Sequence, residues 1–131
     1  MTVAMDNEKK TCDTPNGAVT ERRPWGSFTV IGGGDGFKVK IIEIAPGGEL
    51  SLQYHRHRKE FWTVTKGSGT VTVGTREIAA SAPAHFEIER GEVHRAKSEE
   101  GMTFVEVQFG DVLSEDDIVR LEDKYNRESD E

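Results

Sequence analysis

The sequence predicts an all-β protein, an antiparallel sandwich or barrel with one short C-terminal helix. Three observations carry that prediction. Short runs rich in β-branched and aromatic residues recur along the chain, glycine-rich turns separate them, and a single capping signal stands near the end. With 131 residues there is room for one domain, and its core closes without cross-links.

Order is expected from Arg22, after a flexible arm over residues 1–21 that contains the turn signal Pro15-Asn16-Gly17. Ser27 to Ile31 reads as the first strand, closed by the run Gly32 to Gly36. That run lacks the Lys-Ser/Thr ending of a phosphate loop and no helical pattern follows it, so it reads as a hairpin connection. Phe37 to Ala45 is a long strand ended by Pro46-Gly47-Gly48. Leu50 to Tyr54 follows. Glu60 to Lys66 and Thr70 to Val73 read as a hairpin turning at Gly67-Ser68-Gly69. Glu77 to Ala80, Phe86 to Ile88 and Val93 to Ala96 are short strands. Met102 to Phe109 is the last, with Val105, Val107 and Phe109 on one face and Glu106 and Gln108 on the other. Ser114 followed by Asp117 resembles a capping box, and Ile118, Leu121 and Tyr125 form an apolar stripe, which predicts a helix over 115–125. The domain is expected to span 22–127, with an acidic tail at 128–131.

Composition narrows the function. The net charge is −7, and the last 18 residues contribute eight acids against three bases. Such a chain repels phosphate backbones and anionic surfaces, so neither nucleic acid nor membrane is an expected partner. A local cluster of Arg and Lys still permits a small phosphorylated ligand. The single cysteine, Cys12, makes no internal disulfide and no thiolate metal site. No apolar run is long enough for a signal peptide or a membrane span, so a cytoplasmic location is expected.

All four histidines lie between His55 and His94. Strand alternation projects Gln53, His55 and His57 to one side, and Glu60 opens the next strand after a brief turn. His94 follows a glycine turn further on. Gln53, His55, Glu60 and His94 together supply two imidazole nitrogens and two side-chain oxygens, a donor set suited to one divalent ion with water positions left open.

The segment from Gly47 to Gly67 resembles the first motif of the cupin superfamily, G-x5-H-x-H-x4-E-x6-G, with Gln53 in place of the first histidine. Gly91 and His94 match the second motif, whose Pro and Asn are replaced by Glu89 and Ser98. More specifically, Arg23-Pro24-Trp25-Gly26-Ser27-Phe28, Gly36-Phe37-Lys38-Val39-Lys40, Leu50-Ser51-Leu52-Gln53, Arg58-Lys59-Glu60-Phe61-Trp62, Gly91-Glu92-Val93-His94-Arg95, Glu106-Val107-Gln108 and Glu115 to Arg120 resemble the C-terminal domain of the type II mannose-6-phosphate isomerase / mannose-1-phosphate guanylyltransferase family.

The resemblance implies a cupin barrel (a double-stranded β-helix or jelly roll), a homodimer, and exchange of mannose 6-phosphate with fructose 6-phosphate. It implies one divalent metal, zinc first, with Co, Mn, Ni or Fe as alternatives. The guanylyltransferase portion of that family is not within these residues, so nucleotide transfer is not expected of them. Phe61 stands where the family usually carries His. Under this reading Arg58, Glu60 and Glu106 are catalytic. Lys40, His57, Trp62, Arg95 and Gln108 contact substrate, with Lys40 and Arg95 as phosphate or hydroxyl contacts. The proton-shuttling base is Glu106, His57 or Lys40, and Trp62 either stacks on a sugar or packs in the core. Two other readings stay open: a cupin of different activity, such as a dioxygenase, and a sugar-phosphate-binding module without turnover.

Overall fold

The computed structural model describes residues 18–125. Most of the expected arm, with Cys12, and the expected tail at 128–131 lie outside the described residues. The described chain contains ten strands: β1 (Thr20–Arg23), β2 (Gly26–Gly34), β3 (Phe37–Ile44), β4 (Leu52–Tyr54), β5 (Arg58–Val73), β6 (Arg76–Ser81), β7 (Ala84–Ile88), β8 (His94–Lys97), β9 (Met102–Gly110) and β10 (Val119–Glu122). β1 thus begins inside the segment read as arm. All pairings are antiparallel. One sheet runs β1-β2-β3-β9-β5-β7. The other runs β6-β5-β8-β4-β10. This is the all-β curled architecture that the sequence predicts, and no described helix is long and apolar enough to cross a membrane.

Two local expectations are corrected. Gly67-Ser68-Gly69 is not a hairpin turn. β5 continues through it, pairing with β9 and β7 before the glycines and with β6 and β8 after them. A register shift between Val64 and Lys66 and the positive φ of Gly67 (79°) turn the strand from one sheet into the other. The expected helix at 115–125 is also absent. Ser114 does cap a turn, with its Oγ accepting from the Asp116 N–H at 3.0 Å and its carbonyl accepting from the Asp117 N–H at 3.1 Å. The chain then leaves as β10 and pairs with β4. Tertiary bonds to Asp117 and Glu115, described below, outweigh the local helix signal.

The inward-facing side chains of the central strands divide along their length. On β3 they are Lys40, then Ile42 and Ile44. On β5 they are Arg58 and Glu60, then Trp62 and Val64. On β9 they are Gln108 and Glu106, then Phe104 and Met102. All are buried. The register sets Lys40 beside Glu106, Ile42 beside Phe104, Glu60 beside Gln108 and Val64 beside Phe104. Polar halves therefore meet polar halves. The barrel is dry at one end, where Trp62 stacks on Phe104 with centroids 4.3 Å apart, and charged at the other.

A Cβ on Gly67 would collide with the backbone carbonyl oxygen of Gly101, at a φ that L-residues rarely adopt. Gly67→Val is expected to cost about 2–4 kcal/mol of stability. Urea unfolding checks this, and an unchanged midpoint would show that the corner does not need glycine.

Candidate metal centre and cavity

The charged end gathers His55, Glu60 and His94. His55 sits just past β4, Glu60 near the start of β5 and His94 at the start of β8. One ligand atom from each lies within 4.8 Å of the others, and all three residues are buried. His55 Nε2 is 3.4 Å from Glu60 Oε2, and His94 Nε2 is 3.8 Å from Glu60 Oε1.

The imidazoles are held by their far nitrogens. His55 Nδ1 lies 2.6 Å from the Asp117 carbonyl and His94 Nδ1 lies 2.8 Å from the Glu92 carbonyl. A carbonyl only accepts, so each Nδ1 carries the proton and each Nε2 presents a lone pair on the Glu60 side, where that of His55 accepts from Arg58 Nη2 at 3.3 Å. Burial lowers both imidazole pKa values against the pull of Glu60, His55 to about 4. Both rings are therefore neutral near pH 7. His94 Nε2 is buried without a hydrogen-bond partner.

Glu60 is the anionic member. Burial opposes its charge, but Arg58, and the two imidazoles in the protonated form they take at acid pH, outweigh that and hold its pKa at about 2. Arg58 Nε donates to Glu60 Oε2 at 2.7 Å, and the Trp62 indole N–H donates to Glu60 Oε1 at 2.8 Å. Two neutral nitrogens and one ionised carboxylate, with one nitrogen lacking any partner, fit a divalent cation.

Gln53, the fourth expected donor, lines a cavity together with His55, and its Oε1 accepts from the Ser51 hydroxyl at 3.0 Å. Arg58, Trp62, Lys40 and Glu106 also line it. Trp62 is buried core as well as cavity wall. Glu106 faces inward. Its Oε2 accepts from Gln108 Nε2 at 2.6 Å. Burial, then the charge of Glu60, raise its pKa to about 7 against the opposing charges of Lys40 and Arg58. Gln108 is fully buried behind Glu106 and is not part of the cavity lining.

Two expected contacts lie elsewhere. His57 is exposed, because the chain bends after His55 rather than continuing as a straight strand. Arg95 alternates with buried His94 on β8, so it points outward, where it pairs with Glu49 at 3.0 Å and Glu122 at 3.5 Å. Phe61 also faces away from the cavity, against Phe109 and His85 on the outer side of β5.

Sequence reasoning missed the contribution of residues 113–120. Lys38 Nζ donates to the Leu113 carbonyl, Arg58 Nη1 to the Ser114 carbonyl, and the Asp117 carboxylate accepts from the Arg56 and His57 backbone N–H groups. Glu115, Ile118 and Arg120 line the cavity, and so does Arg23 from β1. The acids that suggested a helix N-terminus serve instead as long-range partners.

The sequence profile described as "Mannose-6-phosphate isomerase C-terminal" matches residues 11–123. The chain belongs to that family. It is 43% identical over 107 residues to the xanthan biosynthesis protein XanB of Xanthomonas campestris, a match covering 80% of this chain and 23% of that protein. Mannose-1-phosphate guanylyltransferase 2 of Escherichia coli O157:H7 is 38% identical over 108 residues, covering 81% of this chain and 22% of the relative. The chain thus spans under a quarter of the length of either. Among solved structures, a cupin-2 domain from Rhodospirillum rubrum superposes with a TM-score of 0.64 at 19% identity, over 80% of this chain and 77% of that one. At that identity the likeness speaks for the fold alone, which is the cupin barrel.

The raised pKa of Glu106 has a consequence for the metal-free protein. Its folded value lies above the ordinary carboxyl value of 4.5, so its contribution to stability is present below that value and is lost as pH rises through about 7. Urea midpoints between about pH 5 and about pH 8 should fall for the wild type and fall less for Glu106→Gln. Parallel curves would mean that Glu106 ionises in this range without cost.

Proposed function

We propose that this chain is a metal-dependent sugar-phosphate isomerase that interconverts mannose 6-phosphate and fructose 6-phosphate. The observation that carries the reading is a single cavity that reaches the His55–Glu60–His94 cluster at His55 and is also lined by Glu106, a buried carboxyl with a pKa near 7, and by the cations Arg23, Lys40, Arg58 and Arg120. Family membership supports the same reaction, and the homodimer and cytoplasmic location implied by the resemblance belong to this proposal.

His55, Glu60 and His94 would hold the ion, with Gln53, which lines the cavity with His55, as a further oxygen donor. Zinc is the first choice for this nitrogen-oxygen set, with Co, Mn, Ni or Fe as alternatives. When bound, the ion supplies Lewis acidity to an aldose–ketose exchange through an enediol.

The chain's own residues supply the rest. Glu106 is the base that takes the proton from one carbon and returns it to the neighbouring one. A pKa of about 7 lets one group both accept and release a proton at neutral pH. Gln108 fixes the orientation of that carboxyl. Arg58 keeps Glu60 ionised and Trp62 limits its rotation, so the ligand carboxylate stays aimed. Lys40 and the cavity arginines attract the phosphate. His57, being exposed, and Lys40, being ion-paired to Glu115, are weaker candidates for the base.

The test is a coupled assay for fructose 6-phosphate formed from mannose 6-phosphate, with Zn, Co, Mn, Ni or Fe restored to stripped protein. Turnover is expected, and Glu106→Gln should lower kcat by about a hundredfold or more while bound metal is unchanged. Absence of turnover with every ion removes the isomerase reading. Full activity in the variant removes Glu106 as the base.

A further inference from the structure

Lys40 is an unusual cation for a barrel interior. Its side chain is 4% exposed, and its ammonium lies 4.1 Å from the centroid of the Phe28 ring. A charge so placed requires an opposite charge in contact. Its neighbour across the ladder, Glu106, has its carboxyl raised toward neutrality and bonded to Gln108. The contact charge comes from Glu115, whose Oε2 lies 2.6 Å from Lys40 Nζ and 3.6 Å from Lys38 Nζ.

Glu115 lies outside the strands of the sheet. It lies in the connection between β9 and β10, its side chain is 46% exposed, and it lines the same cavity as Lys40, Arg23 and Arg120. One carboxylate oxygen thus stands on the buried lysine of the cavity, from a connecting segment whose carboxylate is half exposed to water. A phosphate monoester offers Lys40 the same chemistry with more charge and more acceptor oxygens. Phosphate and Glu115 cannot both occupy the ammonium without bringing like charges together.

We propose that Glu115 is an internal anion that holds Lys40 in the empty cavity and is displaced by the phosphate group of the ligand, so that it sets the affinity for phosphorylated compounds. The inference rests on the reading that this cavity accepts a sugar phosphate, but it concerns binding and not turnover. The competing carboxylate weakens phosphate binding while keeping the buried lysine compensated, and it disfavours uncharged sugars, which cannot replace it.

Binding of inorganic phosphate to the 131-residue chain, measured by calorimetry, tests the proposal. Glu115→Gln is expected to bind phosphate about fivefold to tenfold more tightly than wild type, and adding Lys40→Met to that variant should abolish the gain. Unchanged or weaker binding by a folded Glu115→Gln protein overturns the proposal, as does a gain that survives Lys40→Met or an absence of phosphate binding in every form. If Glu115→Gln is unfolded alone, refolding on addition of phosphate supports displacement through linkage, and failure to refold counts against it. Tighter phosphate binding without isomerase turnover would sink the isomerase reading alone. Turnover with no change in phosphate affinity would sink this inference alone.

Discussion

Glu60 carries a full negative charge with 1% of its surface exposed, and much of the surrounding structure serves to make that tolerable. A buried carboxylate is stable only where donors and opposite charge meet both of its oxygens. Arg58 meets one oxygen and the Trp62 N–H meets the other. Both donors stand two residues from Glu60 on β5, so strand periodicity brings all three to the same interior face. The arrangement still turns two neutral imidazoles toward the carboxylate: His55 Nε2 accepts from Arg58 Nη2 at 3.3 Å, and His94 Nε2 is unmatched. A cation is the partner that satisfies all of these groups together.

The same constraint explains why the barrel is divided. The polar residues of β3, β5 and β9 fall at the same end only because the register matches Lys40 to Glu106 and Glu60 to Gln108. A slip of one residue on β9 would send Glu106 and Gln108 outward and bring Val105 and Val107 into the charged end. The aromatic stack of Trp62 and Phe104 closes the dry side, so the register is fixed by the apolar half and used by the polar half. Residues 113–120 then cover the polar end, with Asp117 holding the bend after β4 and orienting His55 at once.

Much of this is legible in the sequence. Alternation alone placed Glu106 and Gln108 on the face opposite Val105 and Val107, and the spacing of His55, Glu60 and His94 marked them as a cluster. What could not be read is what depends on distant partners. Ser114 and the acids after it carry a good helix-start signal, and only the folded protein shows those acids committed to Lys40 and to the Arg56 and His57 amides. Gly67-Ser68-Gly69 has turn composition, yet a bulge and a corner use the same residues as a hairpin does. His57 shares the parity of His55 but falls beyond a bend, and parity holds only along a straight strand. Phe61, where the resemblance led to an expected histidine beside Glu60, lies on the outer face, so it does not alter the cavity wall.

The central claim is that His55, Glu60 and His94 act together on one cation. Titration of the stripped protein with Co(II), followed by optical absorption and X-ray absorption spectroscopy, tests it most directly. The account predicts one ion per chain in a mixed nitrogen-oxygen environment containing two imidazoles, with stoichiometric binding lost in both His94→Ala and Glu60→Gln. A protein that takes up no ion, or one that binds it equally well in either variant, would contradict it.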